Sequence, residues 1–205
     1  MKDLLESLIQ KSVRDIQIQE DRRITRLLNK TIGNVKMEVS IHQWSLGYVL
    51  IGSEHNDLFA VELGNDINEC YRNFYNRWSK LPGPYEIEER KNFQIVDKVI
   101  SSMESGVMNA SLKINYKSHP FSTPIRYLVW ETLLNTAPGE TISYKEIANK
   151  IGNPKAVRAI GSACRANPFA IIIPCHRVIK SDGTSGEYRW GIDLKRKLLD
   201  KEKSI

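Results

Sequence analysis

The apolar positions of this chain change their period along its length. Residues 2–30 carry Leu4, Leu5, Leu8, Ile9, Val13 and Ile16, then Ile24, Leu27 and Leu28 after a charged break. That spacing predicts one or two amphipathic helices with no chemistry of their own. The pattern then shortens to alternation and brief apolar runs. "KMEVSIHQW", "GYVLIGSE" and "DLFAVEL" predict three short strands in a small antiparallel sheet. "DINECYRNFYNRW" returns to the helical period and places Cys70 on a helix as a bystander. Residues 80–92, "KLPGPYEIEERKN", concentrate Pro, Gly and charge and read as a linker or loop. A helix near 93–104 and a strand at "SLKINY" follow.

The second half is mostly helical. "PIRYLVWETLLNTA" predicts a helix with Pro124 in its first turn. Ser143 and Glu146 have the spacing of a capping box, so a helix should begin at Tyr144 and stop at Gly152. Asn153-Pro154 reads as the cap and first residue of another helix, "PKAVRAIGSACRAN". Two short helices joined at a glycine turn predict a helix-turn-helix. The second helix is thin, with Ala156, Ala159, Gly161, Ser162 and Ala163, and carries Arg158 and Arg165. It suits either close helix packing or close approach to nucleic acid, and the charge of this half favours nucleic acid.

That charge is uneven. Residues 111–205 hold 16 of the 30 Lys and Arg but only 8 of the 24 Asp and Glu, so the net +6 arises wholly there. A basic half suits a polyanionic partner, nucleic acid first, and equally a solvated lysine surface. Composition otherwise excludes classes. At 205 residues and 41% hydrophobic, the chain has material for one large or two small cores. It lacks the long apolar run of a membrane helix, and "MKDLLESLIQ" is not a signal peptide, which predicts a cytoplasmic protein. Cys70, Cys164 and Cys175 form no CxxC pair, which argues against a dithiol or structural zinc site and predicts free thiols.

The chemistry concentrates in "AIIIPCHRVIKSDG", residues 170–183. A strand over 170–173 would bury three isoleucines and present Cys175 at its end. A reactive thiol needs a base or cation nearby. His176 is adjacent, but neighbours in an extended chain face opposite ways, so a direct dyad is strained. A water relay between thiol and imidazole resolves this, with a carboxylate orienting His176 from behind. "DLKRKLLDKE" offers Glu202, which by itself reads as a solvated charge near a terminus.

"IPCHRVI" closely resembles the active-site motif of the O6-alkylguanine-DNA alkyltransferases, the methylated-DNA–protein-cysteine methyltransferases. The resemblance extends over "VW" at 129–130, "GETISYKEIA", "PKAVRAIGSACRANP", "GEYRWG" and "RKLLDKE". "SLGYVLIGSEHNDLFAVELGND" resembles the family's sheet domain. It implies an α+β fold with a ribonuclease-H-like sheet domain over 31–112 and a winged-helix-like domain over 113–205 with the helix-turn-helix; the helical extension over 1–30 rests on its apolar spacing and is not covered by the resemblance. It further implies a monomeric repair protein, without cofactor or metal, that binds duplex DNA through the minor groove. An O6-alkylguanine would be flipped out and its alkyl group moved irreversibly to Cys175.

The roles carry over by position. The resemblance implies Cys175 as nucleophile, His176 as base through water, Glu202 as its orienter, and Asn167 as support for the intervening turn. Tyr144 would help eject the nucleotide and donate toward the purine, and Arg158 would fill the vacated stack. Ala156, Gly161 and Arg165 belong to the DNA-facing helix. Val178 and the Cys175 carbonyl would read the exocyclic amine, while Tyr188 and the Arg189 backbone line the alkyl side. Cys164 falls at a variable pocket-side position. Glu187, where bacterial members usually have glycine, is the departure at the pocket rim. Three other readings are a lesion-sensing module, a transcriptional regulator and a thiol protease. The first is opposed by the presence of Cys175, and the second by a leader too short for an activator domain.

Overall fold

The computed structural model describes residues 35–79, 85–89, 94–114, 116–117 and 119–204. The helices expected at 2–30 lie outside the described residues. The described chain is mixed α and β. Strands β1 (Val35–Trp44), β2 (Gly47–Glu54) and β3 (Asp57–Gly64) form an antiparallel meander, as the alternation predicts. The β2–β3 hairpin turns on His55 and Asn56, both at positive φ (50° and 66°). That is the two-residue turn whose twist matches the strands. Helix α1 (Ile67–Trp78) follows, capped by the Asp66 carboxylate on the Glu69 amide.

Part of the stretch read as a linker is a strand. β4 (Tyr85–Glu89) pairs parallel to β1 and gives the sheet order β3-β2-β1-β4. Its "YEIEE" has little strand propensity; pairing with the open edge of β1 decides its state. The reverse error falls at "SLKINY", whose described residues make one bridge, Leu58 to Ile114, and no strand.

The central strands read as apolar runs because both faces of the sheet are covered. One face packs Met37, Val39, Leu50, Phe59 and Ala60 against Cys70, Phe74 and Trp78 of α1. The other packs Val49, Ile51, Val61 and Leu63 into the main core, which includes α2 (Val96–Ser105) and α3 (Pro124–Leu134). Trp130 of α3 is fully buried there and donates its indole N–H to the Ala163 carbonyl. This core continues from the sheet into the helices that carry the site.

β5 (Ile142–Ser143) leads into α4 (Tyr144–Lys150), and the capping box between Ser143 and Glu146 is formed in both directions. α4 ends at Gly152 (φ 72°), with Asn153 N–H closing on the Ala148 carbonyl. That glycine is left-handed, as a helix stop requires. The next helix starts later than its sequence suggests. Asn153 closes α4, and Pro154-Lys155 form a turn, so α5 runs Val157–Ala166 with Ala156 as its cap. α4, this turn and α5 make the helix-turn-helix. After α5, a 3₁₀ turn (Cys175–Arg177) leads to β6 (Val178–Ile179), which pairs parallel with β5. The chain ends in α6 (Ile192–Glu202).

The expected strand at 170–173 is not one. Phe169 bridges Val61, and the chain then reverses through Ile171 at φ 66°. Burial rather than sheet pairing explains its composition: Ile171, Ile172 and Ile173 are all buried. No described helix is long and apolar enough to cross a membrane.

Candidate active site

Cys175 opens the 3₁₀ turn at the base of a cavity of about 400 Å³. Tyr144, Cys164, Arg165, Glu187, Tyr188 and Arg189 are among its walls. The thiol is buried, and burial pushes its pKa up to about 11. An N–H of the Asn167 carboxamide opposes this, donating to Sγ at 3.2 Å. The same Nδ2 donates to the Ile173 carbonyl at 2.8 Å, while Oδ1 accepts from Phe169 N–H at 2.9 Å. Asn167 therefore ties the end of α5 to the chain entering Cys175.

His176 is the middle residue of the 3₁₀ turn and not of an extended chain, and its ring makes no hydrogen bond to Sγ among the described residues. Its Nε2 meets Glu202 Oε1 at 2.8 Å. Glu202 is not the solvated charge its terminal position suggests. It is 7% exposed. Burial alone would raise its pKa, but hydrogen bonds from His176 and Arg177 outweigh that and hold it at about 2. An ionised carboxylate only accepts, so Nε2 must carry the proton. Nδ1 is then the bare, basic nitrogen. It is buried and has no hydrogen-bond partner among the described residues. Burial lowers the His176 pKa, with Glu202 opposing, which keeps the ring neutral and able to accept a proton.

Sequence reading missed a support of this pair, Arg177, and a buried lysine of the same helix as Glu202, Lys195. Arg177 donates from Nε to Glu202 Oε2 at 3.0 Å and from Nη2 to Oε1 at 2.7 Å. It also donates to the carbonyls of Thr136 and Gly106. Lys195 is fully buried, and its Nζ donates to the carbonyls of Val178 at 2.5 Å and Gly186 at 3.2 Å. Burial lowers its pKa, opposed by Cys175 and Cys164. A signal existed: Lys195, Leu198 and Glu202 share one stripe of α6 and are its buried residues.

The remaining expected residues divide into two groups. Tyr144 begins α4 and faces the cavity, so close to Gly186 that a Cβ there would lie 2.5 Å from its hydroxyl. Tyr188 is buried, its phenol oxygen has no hydrogen-bond partner among the described residues, and its ring stands edge-on to His176 at 6.3 Å. Cys164 is a cavity wall whose thiol is pushed up by burial. Val178 is fully buried, and its carbonyl takes the Lys195 ammonium. Arg189 lies at the wall, with its guanidinium 3.5 Å from Glu62. Gly161 lines the cavity from α5, while Ala156 and Arg158 lie outside it at the start of that helix. Arg158 is exposed, and Arg165 spans the cavity rim to Glu187 at 3.0 Å. No group of three or more His, Cys, Asp or Glu able to hold a metal occurs among the described residues.

A buried thiol, a bare imidazole nitrogen and an open cavity beside a helix-turn-helix can together attack an electrophilic carbon on a bound ligand. The family model described as "6-O-methylguanine DNA methyltransferase, DNA binding domain" matches residues 124–204. The methylated-DNA–protein-cysteine methyltransferase of Methanosarcina barkeri is 42% identical over 142 residues, covering 69% of this chain and 88% of that protein. The chain belongs to this family. The bifunctional transcriptional activator and DNA repair enzyme Ada of Escherichia coli is 35% identical over 173 residues, 82% of this chain. This chain spans about half of Ada's length, 46%. The crystal structure of Mycobacterium tuberculosis OGT in complex with DNA superposes with a TM-score of 0.60 at 28% identity, over 82% of this chain and 93% of that one. As a methyltransferase-family fold, the chain joins a small mixed sheet to a helical site-bearing region, and the family-model match covers that region from α3 through α6.

Proposed function

We propose that this protein repairs O6-alkylguanine in duplex DNA, mainly O6-methylguanine, by taking the alkyl group onto Cys175 once and irreversibly. The observation that carries the reading is the buried Cys175 beneath an open cavity, backed by the His176–Glu202 pair at 2.8 Å. The O6 substituent is out of reach inside a base stack, so the lesion must rotate out of the helix into the cavity. His176 Nδ1 takes the thiol proton through a water, and Glu202 stabilises the imidazolium that results. Sγ attacks the alkyl carbon in line. The S–C bond forms, the C–O6 bond breaks, and the electron pair returns to the purine. The Tyr144 hydroxyl, whose pKa burial raises to about 12, stays protonated and donates toward the departing base. The protein is itself the acceptor, so the reaction calls for no cofactor.

DNA binding follows from α5. Its outward positions, Arg158, Ser162 and Arg165, lie on one face, and the small residues beside them permit close approach to the minor groove. Arg158 fills the stack that the flipped base leaves. Val178 and the Cys175 carbonyl read the guanine amine, and Tyr188 with the Arg189 backbone holds the alkyl group. In fold terms we infer a ribonuclease-H-like sheet domain over 31–112 and a winged-helix-like domain over 113–205, acting as a monomer in the cytoplasm. The test is a duplex bearing O6-methylguanine with a labelled methyl. The label is expected on the peptide containing Cys175, and none on the Cys175→Ser protein. Label left on the DNA, or found on another residue, contradicts the reading.

A further inference from the structure

One buried charge pair lies outside the machinery described so far. Glu62 is in the middle of β3 and fully buried; Arg77 is in the last turn of α1 and 4% exposed. Their Nε and Oε1 atoms are 2.8 Å apart. Isolated buried charges are costly, so what else they touch matters. Arg77 Nη1 donates to the Ala166 carbonyl at 2.7 Å, and Nη2 donates to the Asn167 carbonyl at 2.8 Å. These carbonyls lie at the C-terminal end of α5, where backbone acceptors lack helical partners. Glu62 meanwhile accepts from the Trp190 indole at 3.0 Å and faces the Arg189 guanidinium at 3.5 Å. The pair thus ties together two segments on either side of Cys175: the Asn167 turn, and the wall that continues from Tyr188. Both of its members come from the sheet and its helix.

Asn167 has the side chain that touches the sulfur, at 3.2 Å. Its backbone carbonyl and its carboxamide belong to one residue, so a guanidinium fork fixing the first anchors the point from which the second, turned by its bonds to Ile173 and Phe169, reaches the sulfur. We propose that Arg77, held by Glu62, is a positioning residue for alkyl transfer: it aims the Asn167 carboxamide at Cys175 Sγ so that the N–H meets the developing thiolate. A hydrogen bond to a charged sulfur favours that charge over the neutral thiol. Losing its aim leaves burial opposed only by the more distant Lys195 charge and a backbone hydrogen bond, and the thiol becomes harder to ionise. The sheet and its helix are then part of the reacting site and not only its support.

The proposal rests on Cys175 being the acceptor, so the unaltered protein is measured first with free O6-benzylguanine, which needs no DNA contact. Arg77→Lys keeps the positive charge beside Glu62 but lacks the fork that reaches two carbonyls. It is expected to retain the melting temperature within a few degrees. Its reaction at neutral pH should slow about tenfold, the size of one hydrogen bond to a charged group. The pH profile of Cys175 modification should move to higher pH. Asn167→Ala should move it the same way, and the Arg77→Lys/Asn167→Ala double variant should be no slower than Asn167→Ala alone. A merely structural Arg77 would leave the profile in place. The paired Glu62→Gln/Arg77→Met variant removes both charges and gives the same readout should the single change unfold the chain. An unmoved profile with unchanged rate, or losses that multiply in the double variant, overturns the proposal. Failure of the unaltered protein to react would instead remove the alkyl-transfer reading beneath it.

Discussion

At the scale of single residues, Glu202 decides most. It receives His176, Arg177 and the Gly139 amide. Its carboxyl is held at about 2 in the fold against an ordinary 4.5. A depressed carboxylate pKa contributes stability that is complete above the unfolded value and is lost as pH falls toward the folded one. Stability should therefore decline as pH drops below 4.5, in the direction of 2. Glu202→Gln leaves Arg177 buried without its counter-charge, which costs about 3 kcal/mol. Urea unfolding should show that loss at neutral pH and a flatter decline below pH 4.5. The same variant should slow alkyl transfer by roughly a hundredfold, since His176 loses the anion that fixes its tautomer. A variant with unaltered acid dependence would mean that the His176–Glu202 contact carries no linkage. Cys175, His176 and Tyr144 were legible in the sequence because motif and spacing identify them. The burial of Glu202 was not, since a carboxylate near a terminus is ordinarily solvated, and only the docking of α6 on Leu198 removes it from water.

At the scale of elements, legibility followed local chemistry. The Ser143–Glu146 capping box and the Gly152 stop lie where the sequence puts them, because caps are set by residues within one turn. β4 and the 170–173 segment were misread, because the first depends on a distant edge and the second on a reversal at Ile171. The start of α5 was misread by a few residues, since Asn153 is used to close α4. This late start leaves Arg158 exposed in the first turn of α5, outside the cavity. The stack-filling role thus separates from the chemistry. Arg158→Ala should slow transfer from duplex O6-methylguanine at least tenfold while leaving reaction with free O6-benzylguanine within about twofold, given base-unstacking costs of a few kcal/mol. Single-turnover rates on both substrates check this, and an equal loss on both would remove the role from Arg158.

At the scale of the whole molecule, the strongest feature is continuity between the sheet and the site. The main core runs from Val49 and Val61 to Trp130, Ile173 and Cys175 without a break. Glu62 and Arg77 carry the same continuity in polar form up to Asn167. The basic charge of the second half was legible in the sequence, whereas the contact of Glu62 and Arg77 with the end of α5 was not. Glu62 and Arg77 look in sequence like ordinary strand and helix charges, and only tertiary packing brings them to the carbonyls of α5.

On the proposed function, the protein is consumed by its own reaction. The most direct measurement is intact mass of the protein titrated with duplex O6-methylguanine. It should rise by one methyl per chain, reach a plateau at one equivalent of lesion, and stay there when more substrate is added, with no shift in the Cys175→Ser protein. Lesions repaired beyond one per chain, or a protein that binds the duplex and keeps its mass, would contradict it.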